Sequence, residues 1–354
     1  MNKTCGVAVI GYGGMGGWHT QRLLEMPEEF TLCGIYDIDP KRAAAAEEVG
    51  IHAYASLDEL WADARVQVVT VAIPNDIHCE MTCAALRAGK HVVCEKPVAM
   101  NSAELQTMID TAAACDRVFT VHQNRRWDHD YRIVKRLVDE NTLGPIFTIE
   151  SRVHGSRGIP GDWRNKKRHG GGMVLDWGVH LLDQILLIAG DRALQTVYAQ
   201  FDNVTNEECE DGFKILLQFE GGLRTHIEVG TSHFIALPRW YVAGENGSAI
   251  VEDWNLNGKI VMVSDWEKRD AVPVVTAAGL TKTMAPRTNE TIREYPLPAV
   301  EGDIHEFYRN VRDTAEGRAE LIVKHDEVKR VMKLMETVFT SAESNQVITW
   351  EEPQ

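Results

Sequence analysis

Three groups of residues in the chain have types and spacings that suit chemistry. The first is Gly11-Tyr12-Gly13-Gly14-Met15-Gly16, a G-x-G-x-x-G loop, with Asp37 about twenty residues further on. Glycine at Gly11 permits a tight turn, at Gly13 lets the backbone approach a pyrophosphate, and at Gly16 lets a helix pack close to a strand. A helix opening at this loop, through Gly14 and Met15, offers unpaired N–H groups and positive dipole to phosphates. Asp37 can accept hydrogen bonds from both hydroxyls of an adenosine ribose and repel a 2′-phosphate, which favours NAD over NADP. Lys41 and Arg42 lie a few residues on. The second group is Lys96, between Glu95 and Pro97 and at the end of a strand-like run. The third is Asp176 with His180, four apart, so on a helix they share one face. A carboxylate beside an imidazole favours the imidazolium and can fix the tautomer that accepts a proton. The run Gly170–Gly171–Gly172 before them lets a ligand or another segment approach closely. Each group has a plainer reading as well: a glycine-rich turn, a solvated lysine, a structural hydrogen bond.

The elements that must position these residues alternate regularly through the first third. Residues 5–10 read as a fully buried strand, 14–25 as a helix, and 31–37 as a second buried strand closing on an acid. Asp39 and Pro40 cap an Ala-rich helix that Gly50 stops, and Ser56 with Glu59 makes a capping box. Strands at 66–73, 91–94 and 118–122 follow, separated by helices to about 88 and over 102–115. Such alternation implies right-handed crossovers and a parallel, doubly wound sheet of Rossmann type. After residue 123 the period falls to two. FKILLQF and LRTHIEV flank Gly221–Gly222, and RWYVAGE and SAIVEDW flank Asn246–Gly247, which are hairpin signals. The expected fold is an α/β Rossmann domain over 1–122 and an α+β domain over 123–354 built on a large open antiparallel sheet, with helices near 173–189, 302–316 and 324–342.

Composition narrows the functional classes. The chain has 354 residues, 44% hydrophobic and 25% charged, in the range of a globular protein with a sizeable core. Its formal net charge of −15 repels phosphate backbones, so neither nucleic acid nor an anionic membrane surface is an expected partner. The most apolar stretch, 173–190, is interrupted by Asp176, His180, Asp183 and Gln184 and falls short of a membrane span. No charged-then-apolar leader precedes the first strand, and the 7 cysteines form no C-x-x-C pair, so a reduced, cytoplasmic protein is expected.

AIPNDIH at 72–78, CEKPVA at 94–99 and GGGMVLDWGVHLLDQ at 170–184, taken with the glycine loop, resemble the Gfo/Idh/MocA family of glucose–fructose oxidoreductase, inositol dehydrogenase and rhizopine-catabolism proteins. The resemblance covers nearly the whole chain. It implies an NAD-dependent oxidoreductase that transfers hydride between a secondary hydroxyl of a sugar, cyclitol or glycoside and the nicotinamide, with Lys96, Asp176 and His180 as its catalytic residues. It implies a cis Lys96–Pro97 bond and no metal, although Asp183 could in principle join Asp176 and His180 as ligands. Pro74, Asn75 and His78 match positions that line the nicotinamide side, Glu95 a position that meets the nicotinamide ribose, and Asn124, Trp163 and Arg164 further positions near the cofactor.

The substrate side is thinner. HGSRGIPGDWRNKKRHG at 154–170 sets Arg157, Arg164, Lys166, Lys167 and Arg168 against one acid, Asp162. It either faces an anionic group, with Arg157 as a substrate contact, or is a subunit contact or solvated loop. Trp163, Trp177 and Trp240 offer flat faces to a sugar ring or to the core. Two other functions remain open: elimination of a glycosidic bond through transient oxidation by bound NAD, and ligand sensing without catalysis. An open antiparallel sheet leaves one face needing cover, so a homodimer or homotetramer is expected.

Overall fold

The computed structural model describes residues 4–353 apart from 269 and 271. Its first sheet holds five parallel strands, β1 (Cys5–Ile10), β2 (Phe30–Tyr36), β3 (Val68–Val71), β4 (His91–Cys94) and β5 (Phe119–Val121), in the order β2-β1-β3-β4-β5. The helices between them are α1 (Gly14–Leu24), α2 (Pro40–Glu48), α3 (Leu57–Ala62), α4 (His78–Arg87) and α5 (Ser102–Ala114). Every residue of β1 is buried, as a strand covered on both faces requires. Local sequence starts the helices: the side chains of Asp39, Ser56 and Asn101 accept from the main-chain N–H of Lys41, Glu59 and Glu104 at 2.9, 3.2 and 2.9 Å. Strand order reverses direction at β1. The crevice beyond the carboxyl ends of β1 and β3 is therefore where a doubly wound sheet takes its ligand.

The chain then forms α6 (His129–Asp139), β6 (Ile146–His154), α7 (Val179–Ala189), β7 (Leu194–Asp202), β8 (Gly212–Phe219), β9 (Arg224–Gly230), β10 (Trp240–Gly244), β11 (Gly247–Val251) and β12 (Gly258–Val263). A small ribbon, β13 (Val274–Thr276) with β14 (Gly279–Thr281), precedes β15 (Ile292–Tyr295), α8 (His305–Ala315), α9 (His325–Ser344) and β16 (Ile348–Thr349). The second sheet has nine strands, ordered β15-β12-β11-β10-β6-β9-β8-β7-β16. Both hairpins expected from the sequence are there, β8–β9 and β10–β11. The sheet is mixed, however, because β6 runs parallel to β9 and antiparallel to β10. The facing strands of the two hairpins run in opposite directions, so a strand inserted between them must be parallel to one.

The apolar stretch before Gly190 is a core helix: its most apolar 18-residue window within 167–189 is 83% buried. Later segments return to the first sheet. On α8, Arg309 and Arg312 pair with Glu29 at 2.9 and 2.8 Å, and His305 with Glu25 at 2.9 Å. One continuous hydrophobic core joins the two sheets and their helices.

Candidate active site

The glycine loop is shaped by contacts that a side chain would block. Gly11 sits at φ +90°, where a Cβ would run into the Ala72 carbonyl, and a Cβ on Gly16 would run into the carbonyl of Gly11. At the mouth the loop is open, with nothing within 4 Å of a Cβ built on Gly14. Gly13 caps α1 without any side-chain hydrogen bond, so the first N–H groups of the helix are free for an anion. Asp37 clamps this loop as well as standing beside it. Its Oδ2 accepts from Tyr12 N at 2.6 Å and its Oδ1 from Asp39 N at 2.8 Å. The Arg42 guanidinium reaches the same carboxylate at 3.4 Å. Arg42 is also the nearest side chain to Gly13, at 3.5 Å from where its Cβ would stand.

Beyond β3, Asn75 is buried and donates from Nδ2 to Gly170 O at 3.0 Å, tying the Pro74 turn to the triple-glycine run. His78 lies fully buried, its Nδ1 at 2.9 Å from Pro97 O and its Nε2 at 2.8 Å from Ile73 O. Burial holds its pKa down. Both nitrogens stand against main-chain carbonyls, of which the neutral ring can donate to one, so His78 ties the Ile73 turn to the Pro97 turn.

The Lys96–Pro97 peptide is cis. The Lys96 ammonium donates to Asp176 Oδ1 at 3.1 Å and to Asp176 O at 3.0 Å. Arg164 stands 3.7 Å from the same carboxylate, pairs with Asp162 at 2.7 Å, and lies 4.6 Å over the Trp163 ring. Burial alone would raise the Asp176 carboxyl, but Lys96 and Arg164 outweigh it and keep it below its ordinary value.

Asp176 and His180 make no hydrogen bond with each other among the described residues: the Asp176 carboxylate is held by Lys96, in a π-helical turn, Val174–Gly178, that runs into α7. His180 Nδ1 is buried with no partner. Burial first, then the charges of Lys96 and Arg125, push the ring pKa well below 6.5. The imidazole is thereby kept in the uncharged form that can accept a proton. Asp183 points elsewhere, into a two-pronged buried pair with Arg126 at 2.6 and 2.8 Å, and is no companion ligand.

Glu95 anchors a network that sequence reasoning missed. Its Oε1 accepts from His19 Nε2 at 2.8 Å and His122 Nδ1 at 2.7 Å, and its Oε2 from Lys96 N at 3.1 Å. His19 Nδ1 in turn accepts from the Tyr308 hydroxyl at 2.7 Å, and Tyr308 meets Thr70 at 3.0 Å. Burial opposes the charge on Glu95, but His122 and His19 overcome it and hold the carboxyl well below its usual range. The spacing of His19, three residues after Gly16 on the helix face that packs inward, is the only local signal that would have found it. Asn124 opens the turn after β5, and its Oδ1 is buried without a partner.

Two cations of the basic loop are paired with acids there, Arg164 with Asp162 at 2.7 Å and Lys166 with Glu208 at 3.3 Å; the Lys167 main-chain N–H donates to the same Glu208 carboxylate at 3.0 Å, and Arg157 is exposed. Trp240 is fully buried and donates to Asp130 at 3.0 Å, so it presents no face to a ligand. Arg125 and Trp254 stand near the site instead: the Arg125 guanidinium lies 4.1 Å from the Trp177 ring and 5.6 Å from that of Trp254.

Comparison with known proteins adds to this geometry. Residues 5–123 match the oxidoreductase family's NAD-binding Rossmann fold, and residues 131–250 the GFO/IDH/MocA C-terminal domain. A solved NAD-binding protein from Listeria innocua superposes with a TM-score of 0.95 at 44% identity, covering 98% of this chain and 100% of that one. The Bacillus subtilis scyllo-inositol 2-dehydrogenase (NADP(+)) IolW is 29% identical over 98% of this chain and 96% of its own length. The Escherichia coli D-glucoside 3-dehydrogenase is 37% identical over a shorter reach, 40% of this chain and 42% of its own.

Proposed function

The chain belongs to the GFO/IDH/MocA oxidoreductase family, and from that premise we propose that it transfers hydride between a secondary hydroxyl of a sugar, cyclitol or glycoside and NAD. The observation that carries the reading is the fixed Lys96 ammonium on Asp176 beside a buried, neutral His180. The residues fit the cofactor: the start of α1 at Gly14 leaves its first N–H groups uncapped, with nothing within 4 Å of a Cβ built there, and the buried Asn124 Oδ1 has no donor among the described residues. NAD supplies the hydride acceptor when bound.

The chain's own groups do the rest. Neutral His180 takes the hydroxyl proton, because an uncharged imidazole has a free lone pair at neutral pH. Lys96 stabilises the negative charge that develops on the oxygen, as a preorganised cation in a partly buried site. Asp176 holds Lys96 and offers its remaining oxygen to a neighbouring hydroxyl. Glu95 fixes the main chain at Lys96 and would meet the nicotinamide ribose. Pro74, Asn75 and Trp163 would stand near the bound cofactor.

NAD is favoured over NADP because the Asp37 carboxylate ends β2 beside the loop, although Arg42 offers a cation at the same place. All seven cysteines are free, which supports a reduced, cytoplasmic setting. Half-exposed Phe147, Leu216 and Tyr295 on the second sheet support association into a dimer or tetramer. Light scattering at micromolar concentration should give a multiple of 39.7 kDa, and a monomer mass would refute the assembly.

The deciding experiment follows NADH at 340 nm across a panel of polyols, with wild type and Lys96→Ala in parallel. Lys96-dependent NADH formation supports the dehydrogenase. Glycoside cleavage without net NADH would replace it with transient oxidation, and binding without either reaction would replace it with a sensor.

A further inference from the structure

A cleft of about 470 Å³ opens beside the reacting group, lined by Trp177, Trp254, Arg125, His154, Met173 and Thr231 among others. Trp177 ties it to the chemistry, since its ring meets His180 edge-on at 6.1 Å. Trp254 follows β11 on the connection to β12 and is 51% exposed, an unfavourable place for an indole with no partner. It is nonetheless held in place. Arg239 lies 3.9 Å over its ring and is itself fixed to Asp130 at 2.7 Å. The two indoles stand 6.0 Å apart at 49°, giving the cleft an angled aromatic wall.

The charges around this wall are balanced. Lys96 is paired with Asp176 at 3.1 Å, Arg164 with Asp162 at 2.7 Å, Arg125 with Asp128 at 2.8 Å, and Arg239 with Asp130. A phosphate or carboxylate on the substrate would find each of these cations already held by an aspartate. A neutral ligand leaves all four intact. One buried donor of the cleft nevertheless has no hydrogen-bond partner among the described residues, Arg125 Nε, while His154 Nε2 stands 3.7 Å from the Glu228 carboxylate. His154 Nδ1 accepts from Leu237 N at 3.1 Å, so in the neutral ring Nε2 carries the proton and is a donor. The cleft therefore pairs flat apolar faces with an unsatisfied donor on Arg125. A pyranose ring matches both, with an apolar C–H face and a rim of hydroxyl acceptors, whereas a plain hydrocarbon group would leave that donor unmet.

Resting on the dehydrogenase reading above, we propose that the substrate is an uncharged sugar carrying a second sugar ring, and that this second ring sits on Trp254 and Trp177 beside Arg125 and His154. Trp254 is then a specificity-determining residue.

The test compares kcat/KM, with NAD saturating, for glucose, a neutral glucose disaccharide and glucose 6-phosphate. The disaccharide should exceed glucose by about tenfold or more, and the phosphate should fall below both. Trp254→Ala should lower the disaccharide-to-glucose ratio about tenfold, mainly through KM, and Trp254→Phe should restore most of it. A ratio unmoved by Trp254→Ala, or a preference for the phosphate, overturns the subsite while oxidation of glucose leaves the dehydrogenase standing. Failure to oxidise any sugar in the polyol panel overturns both together. Circular dichroism and thermal unfolding confirm that each variant is folded before its ratio is read.

Discussion

Lys96 donates to Asp176 twice, to the side-chain Oδ1 at 3.1 Å and to the main-chain carbonyl at 3.0 Å. Only the first contact depends on the carboxylate. Asp176→Asn should therefore keep the ammonium in place and cost less than Lys96→Ala. The latter should lower kcat by roughly 10²–10⁴ while NAD affinity changes little, since its effect falls on the transition state. Steady-state kinetics and a fluorescence titration of NAD measure the two quantities. Near-normal kcat in Lys96→Ala would make the pair structural.

The pH profile should report how His180 is held. A base works only when unprotonated, so the rate falls as pH drops through its pKa. Burial and the charges of Lys96 and Arg125 place that pKa well below 6.5. The acid limb of kcat/KM should lie correspondingly low. Arg125→Gln removes one of those charges and should move the limb upward, toward 6.5. A limb that stays put in this variant would mean that another group is being titrated.

Tyr308 sets the tautomer of His19. Its hydroxyl donates to His19 Nδ1, which leaves the proton on Nε2, the nitrogen facing Glu95. Tyr308→Phe leaves a buried nitrogen unsatisfied and should cost about 1–3 kcal/mol of stability. Thr70→Val leaves the Tyr308–His19 bond intact and should cost less. Urea unfolding of both variants checks the order, and equal losses would contradict it.

Stability should also fall with mild acid. His19, His78 and His180 are buried with pKa values below 6.5, burial being the first cause in each. Between those values and 6.5 the unfolded chain binds more protons than the folded one, so stability drops as pH falls through that window. The depressed carboxyls Glu95 and Asp176 lose their contributions only at lower pH, from about their unfolded values of 4.5 and 3.8 downward. Urea midpoints measured from pH 7 to 5 should decline, and a flat series would count against buried neutral histidines.

Local rules carried much of this structure. Asp39, Ser56 and Asn101 start helices by bonds within a few residues, and the glycine loop is read from its own spacing. What failed depended on distant partners. Asp176 and His180 look paired at four-residue spacing, but the Asp176 carboxylate is held by Lys96, 80 positions away in sequence. Helix α6 alternates charge with its buried Tyr131, Ile133, Val134 and Leu137, which masked it among polar residues. The parallel pairing of β6 with β9 joins segments that no turn connects. Trp240 and Trp254 differ in no local signal, yet one is in the core and the other faces the cleft.

Tyr308 reaches Thr70 across 238 positions of sequence and His19 across 289. During synthesis the first sheet and its glycine loop leave the ribosome long before α8 exists. Until then His19 lacks its donor, and Glu29 lacks Arg309 and Arg312. Contacts of such long range form late and slowly. A chain broken off before residue 305 would carry every glycine of the loop and still be missing the hydroxyl that steadies Glu95.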